Sequence, residues 1–261
     1  MPADQSALND LIEGYESITL SWLEDTKAQL MTRVESKHVM TLAQCRNLVQ
    51  SLGGSYRILE IQGKRIGRYE TMYYDTPEFL SYYQHHNGKA NRYKLRFRHY
   101  DASDETFLEV KKKDNKGETE KNRMKTCGFA SGFLPAQVEF LRSVLPYDCR
   151  SFIPVIRTIY NRITLVSTNS AERITFDTDL AFDNGTRVIA YPDLVIGEIK
   201  YEKGTKNSPA LHALHEMGIR KRGFSKYCIG VSLLYDWLKH NRFKENLLFL
   251  SRISAGGGVP C

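Results

Sequence analysis

Apolar and polar residues alternate with a period of two over much of this chain, the spacing that sends successive side chains to opposite faces of a strand. The clearest stretch is Arg92-Tyr93-Lys94-Leu95-Arg96-Phe97-Arg98, where four cations share one face and three apolar or aromatic residues share the other. Same-face neighbours on a strand stand roughly 6.6 Å apart, so a row of cations repels itself unless something anionic lies against it. A sheet edge protected by charge has the same pattern when seen alone. Recurrence favours a ligand, because 106–113 and 119–125 also alternate, with Lys111 and Lys113, then Lys121, Arg123 and Lys125, on their polar faces.

The same period predicts strands at 33–39, 56–62, 68–74, 155–166, 173–179 and 195–202. Parity puts Arg162 on a polar face and Arg157 on the opposite, mostly apolar one. Arg173 falls with Thr175, Asp177 and Asp179, and Glu198 with Lys200 and Glu202. A period of 3.6 predicts helices at 42–52, capped by Thr41 and ended by Gly53-Gly54, and at 135–144, 209–217 and 231–241. Short helices are expected within 20–31 and after Pro77. Residues 1–17 read as polar and loosely ordered, and 255–261 as a flexible tail. The domain layout is an extension, 1–32, a single folded domain, 33–242, and a C-terminal tail, 243–261. The fold class is α+β: an antiparallel β-barrel, charged faces inward and helices outside, enclosing a basic tunnel suited to a chain of phosphates.

Composition narrows the partners. With 261 residues and 41% hydrophobic content the chain buries one core without staples, and a net charge of +7 points to an anion. The aromatic residues of the central strand lie opposite its cations, which argues against stacking on nucleic acid. Five widely spaced cysteines form no C-x-x-C pair and suit a reducing cytoplasm. No signal peptide or membrane-length apolar run is present, so a membrane role requires a separate partner. Glu35, Glu109 and Glu198 each precede a lysine by two residues on one face. Each pairs locally with that lysine or holds a divalent cation bridging phosphates; Glu198 is read as the metal ligand, and the other two stay open. No P-loop occurs.

Glu35-Ser-Lys37, Tyr74-Asp75-Thr76, Arg96-Phe-Arg98, Phe107-Leu-Glu109-Val-Lys111, Glu120-Lys121-Asn-Arg123, Tyr160-Asn-Arg162, Arg173-Ile-Thr-Phe-Asp177, Glu198-Ile-Lys200 and Phe224-Ser225-Lys226-Tyr227 appear in order. In this order they resemble the polyphosphate polymerase (VTC) domain of the vacuolar transporter chaperone family, in the triphosphate tunnel, or CYTH-like, superfamily. The resemblance implies a tunnel barrel that uses ATP and Mn2+ or Mg2+ to lengthen inorganic polyphosphate. It implies that Lys37, Arg96, Arg98, Lys111, Lys121, Arg162, Lys200 and Lys226 bind phosphate, that Ser225 donates a hydrogen bond, and that Glu198 holds the metal. Strand parity adds Arg92, Lys94, Arg123 and Arg173 as substrate-binding residues. The alternatives are a tripolyphosphatase or nucleoside triphosphatase of the same fold, and a non-catalytic polyphosphate-binding module. Arg33 stands where the superfamily's triphosphatases carry the first carboxylate of E-x-E-x-K, which weakens the hydrolase reading. Gly223 stands where eukaryotic relatives carry a cation, and Arg222 is one position away.

Overall fold

The computed structural model describes residues 3–27, 33–116, 118–130, 132–205 and 207–256. The elements run α1 (Ala3–Glu13), β1 (Ser17–Ile18), α2 (Leu20–Lys27), β2 (Arg33–Thr41), α3 (Leu42–Leu52), β3 (Tyr56–Leu59), β4 (Ile66–Asp75) and α4 (Leu80–His86). Then come β5 (Arg92–Tyr100), β6 (Glu105–Lys113), β7 (Thr119–Thr126), α5 (Pro135–Val144), β8 (Ile153–Ser167), β9 (Glu172–Asp183), β10 (Val188–Tyr191) and β11 (Leu194–Glu202). The chain continues through α6 (Pro209–Glu216), α7 (Lys226–Leu234) and α8 (Lys244–Gly256).

One antiparallel path runs β2-β11-β9-β8-β4-β5-β6-β7. Its end strands β2 and β7 are not paired with each other, so the sheet is open, and the expected closed barrel and tunnel are corrected to an open, curled sheet. Two features keep the ends apart. The outer edge of β2 is taken by a loop, with a bridge from His38 to Lys221 and the Arg222 amide donating to the Lys37 carbonyl at 2.7 Å. At the other end β7 is an edge strand carrying Glu120, Lys121, Arg123 and Lys125, charges that oppose further pairing. The curl still brings the two ends within electrostatic reach, for Lys111 on β6 feels Glu35, Lys37 and Glu198 across the concave face.

Each half of the convex face has its own apolar cover. Ile163, Leu165, Ile174, Phe176, Val195 and Ile199 pack under α1, α3 and α6, and Leu95, Phe97, Leu108 and Val110 pack under Leu141 of α5. Helix α3 is built as its sequence predicts: the Thr41 hydroxyl accepts from the Gln44 amide, the Gln44 side chain returns to the Thr41 amide, and Leu42, Cys45, Leu48, Val49 and Leu52 are buried. The concave face is divided. One part is charged; the other is apolar, with Val39, Ile156, Leu180, Phe182 and Ile196 packed against α4, α7 and α8. Gly230 makes this approach possible, since a Cβ there would lie 2.4 Å from Phe182 and 2.5 Å from Ile156.

Three local expectations change. Residues 3–13 are helical rather than loose, because Leu8 and Ile12 insert into the core beside α3. The last long apolar helix starts at Lys226 and ends at Leu234 rather than spanning 231–241, because Ser225 caps it. The stretch read as a tail from 243 opens with α8, whose Leu250 is fully buried. Residues 257–261, expected to be flexible, lie outside the described residues, as do 28–32 of the first expected short helix.

Candidate phosphate-binding face

Register converts the sequence ladders into rows across the sheet. Lys94 on β5 stands opposite Lys111 on β6, which stands opposite Lys121 on β7; the next row is Arg96, Glu109 and Arg123. Beyond it Arg98 faces Thr71 on β4. At the other end Arg162 pairs with Asp177, Thr175 with Glu198 and then Lys37, and Arg173 with Lys200 and then Glu35. Arg92 opens the first ladder opposite Lys113, and its guanidinium donates to the Lys89 carbonyl. All these predicted site residues therefore share one concave face. Arg157 lies on the convex side, paired with Glu70 and Asp183.

Three carboxylates, two of them buried and Glu198 partly so, each hold two of the cations. Glu109, with no exposed side-chain surface, accepts from Arg96 at 2.6 Å and Lys121 at 3.1 Å. Burial works to raise its carboxyl, but Arg96, Arg98 and Lys121 outweigh it and hold it at about 2. Asp177 receives Arg162 through two nitrogens, at 2.5 and 2.8 Å, and also Lys226. Glu198 receives Lys37 at 3.0 Å and Lys200 at 2.5 Å, and Lys37 also contacts Glu35. Burial acts upward on Asp177 and Glu198 too, and their cations overcome it, so both carboxyls sit below the ordinary range.

Arg98, Lys94 and Lys111 have no carboxylate partner among the described residues. The buried Arg98 side chain donates to Thr71 Oγ1 at 3.1 Å. Lys94 donates to Ser225 Oγ at 2.8 Å, and burial lowers its pKa. Lys111 makes no ion pair among the described residues, and burial brings it down to about 8. Ser225 also accepts from the Cys228 amide as the cap of α7, which leaves its O–H free to donate. Arg123, at the exposed rim, lies 4.7 Å over the Phe107 ring.

The sequence reading assigned no role to the tyrosines of this face. Lys226 lies 4.3 Å over Tyr160, Arg162 4.9 Å over Tyr69, and Arg96 donates to the Tyr73 hydroxyl at 3.3 Å. Burial would raise the Tyr73 phenol, yet Arg96, Arg98 and Lys94 bring it down to about 8. Strand parity carries this signal, since Tyr69, Thr71 and Tyr73 alternate on β4. Asp75 has a scaffolding role: it accepts from the Thr76, Ser81 and Tyr82 amides and from the Tyr227 hydroxyl, fixing α4 against α7.

Among the described residues no three His, Cys, Asp or Glu side chains converge as a metal cage. A magnesium-type ion needs only one or two carboxylates when phosphates complete its sphere. Glu198 and Glu35 meet on Lys37, and Glu198 also pairs with Lys200, so in this structure lysines occupy both carboxylates.

The VTC domain matches residues 32–235. No curated protein matches the chain. Among solved structures the chain is similar to a protein from Bacillus halodurans described as an adenylate cyclase candidate, at 14% identity and a TM-score of 0.47, covering 81% of this chain and 97% of that one. It is also similar to one from Vibrio parahaemolyticus with the same description, at 14% identity and a TM-score of 0.43, covering 77% and 98%. A third, from Hippeastrum, is described as an adenylyl cyclase candidate with a dominant triphosphatase activity; identity is 15%, the TM-score 0.43 and coverage 77% and 96%. These structural likenesses are distant and carry no functional weight. No helix among the described residues is long and apolar enough to cross a membrane. With its family match spanning most of the sequence, residues 32–235, the chain belongs to the VTC domain family.

Proposed function

We propose that the concave face binds a linear triphosphate and moves a phosphoryl group, with ATP as donor and the end of an inorganic polyphosphate chain as acceptor. The observation that carries this reading is the imbalance of the face: Glu109, Asp177 and Glu198 are each occupied by two cations, while Lys94, Lys111 and Arg98 have no carboxylate partner among the described residues. Cations buried without counterions favour an anionic ligand that brings its own charge.

Lys94, Lys111 and Arg98 span three neighbouring strand positions and suit successive phosphoryl groups, with Arg98 able to donate twice. The Ser225 hydroxyl and the start of α7 lie beside Lys94 and add donors without charge. Holding a phosphate chain in line and neutralising its charge supplies most of what phosphoryl transfer requires. A terminal phosphate oxygen is already ionised and needs no base. The three paired carboxylates, all held at low pKa, are poor bases. When bound, Mn2+ or Mg2+ would neutralise phosphate oxygens beside Glu198 and Glu35.

A second reading is hydrolysis of tripolyphosphate or a nucleoside triphosphate. It is favoured by Tyr73 and Lys111, both brought to about 8, where either can exchange a proton near neutrality. Product analysis separates the readings. Protein given ATP and Mn2+ should yield an acid-insoluble polymer that forms a ladder on a polyphosphate gel. Free phosphate without polymer supports the hydrolase instead, and retained polyphosphate binding with no turnover supports a binding module. Replacing Glu198 by Gln should abolish turnover in both enzyme readings while the protein stays folded.

A further inference from the structure

We propose that a second basic cleft, outside the strand face, holds the distal part of a linear inorganic polyphosphate; this rests on reading the concave face as a phosphate-chain site. The cleft has a volume of about 490 Å³, and Arg220, Lys221, Arg222 and Arg242 line it with Glu245 and Phe249. None of the four cations ion-pairs with a carboxylate among the described residues, and Glu245 is the one carboxylate in the lining. Arg222 lies 4.9 Å over Phe249 and donates to the Glu245 carbonyl, so it is turned toward α8. Arg242 leans on the left-handed turn at Gly88, where its Nη1 lies 2.9 Å from the place of a Cβ.

The connection to the concave face is through backbone. Lys221 bridges to His38, and the Arg222 amide donates to the carbonyl of Lys37, whose side chain belongs to the phosphate-binding face. Lys226 follows Arg222 by four residues, which limits their Cα separation to about 14 Å. A chain of phosphates lying on the concave face can therefore continue over the β2 edge into the cleft. Three of the four cations are arginines, whose planar forks match phosphate oxygens. The aromatic ring of the cleft is covered by Arg222, so no platform is left for a nucleic acid base. The phosphate polymer is thus the polyanion that fits both sites.

Two contacts on one chain make the second intramolecular, and affinity rises without new contacts for short ligands. Tripolyphosphate is expected to fill the concave face alone, and a polymer of several tens of phosphates to reach both. The test is equilibrium binding of these two probes to the parent protein and to an Arg220→Ala/Arg242→Ala double variant. Arg222 is spared because it ties the loop to α8. The expected result is unchanged tripolyphosphate binding and long-chain affinity reduced about tenfold or more, with a shallower salt dependence. Long-chain binding indifferent to the double substitution overturns the cleft, as does an equal loss for both probes. A parent protein that binds the polymer but not tripolyphosphate, with polymer binding still lost in the double variant, overturns the concave-face reading and retains the cleft.

Discussion

Lys94 and Lys111 stand directly opposite each other on β5 and β6, and among the described residues neither meets a carboxylate. Like charges in that relation destabilise an antiparallel pair, and here both side chains are also largely removed from water. The consequence is a pair of lysines with lowered affinity for protons, waiting on an anion. On the next row the Arg96–Glu109 contact relieves the same repulsion, so the sheet compensates one row and leaves its neighbour uncompensated.

Lys111 sets a pH dependence. Its ammonium titrates near 8 in the folded protein and near 10.4 in an unfolded chain, so between these values the unfolded state holds more protons and stability rises with pH. Anion binding runs the other way, because phosphate favours the charged form. Tripolyphosphate affinity should fall as pH passes 8, and binding at pH 9 should take up a proton. Calorimetry in two buffers of different ionisation enthalpy checks this; an unchanged apparent enthalpy would mean that Lys111 is not at the phosphate.

Glu109→Gln should leave Arg96 and buried neighbouring charge uncompensated and cost about 3 to 5 kcal/mol of ligand-free stability, read from denaturant unfolding. Tripolyphosphate should restore more of the variant's melting temperature than it adds to the parent, since it substitutes for the missing charge. In the parent protein the Glu109 carboxyl is depressed, so its stabilisation is full above about 4.3 and is lost as pH falls toward about 2.

Arg98→Ala should weaken triphosphate binding by about ten- to a hundredfold. Stability without ligand should change by less than about 1 kcal/mol, because the lost hydrogen bond to Thr71 is offset by relief from Arg96. Binding equal to that of the parent would remove Arg98 from the site.

Phe97→Ala reverses that outcome. Phe97 is fully buried on the convex side, with ring centroids 5.4 Å from Tyr74 and 6.1 Å from Phe133. Truncation should cost about 3 to 5 kcal/mol of stability and leave triphosphate affinity of the folded fraction near that of the parent. A neutral variant would mean that the two faces of β5 are reversed.

The alternation at 92–98 determines by itself that cations and apolar groups lie on opposite sides of β5, because the pleat enforces a period of two in any sheet. Thr41 and the apolar spacing after it likewise determine α3, since capping and amphipathicity act within one turn or a few. What alternation does not contain is closure: an open and a closed sheet put the same residues on the same faces, and only the loop at 219–223 on the edge of β2 and the charged edge of β7 decide for the open form. Pairing also lies beyond local pattern. Glu109 joins Lys121 through strand register, Asp177 joins Lys226 across 49 residues, and Tyr73 and Tyr160 enter the site because three strands and α7 converge there. Helix α1 forms for the same reason, its two buried apolar residues being too few to predict a helix until α3 supplies the surface they cover. Local spacing determines the chemistry each strand carries, whereas long-range packing decides which charges meet, and so which cations are left for a ligand.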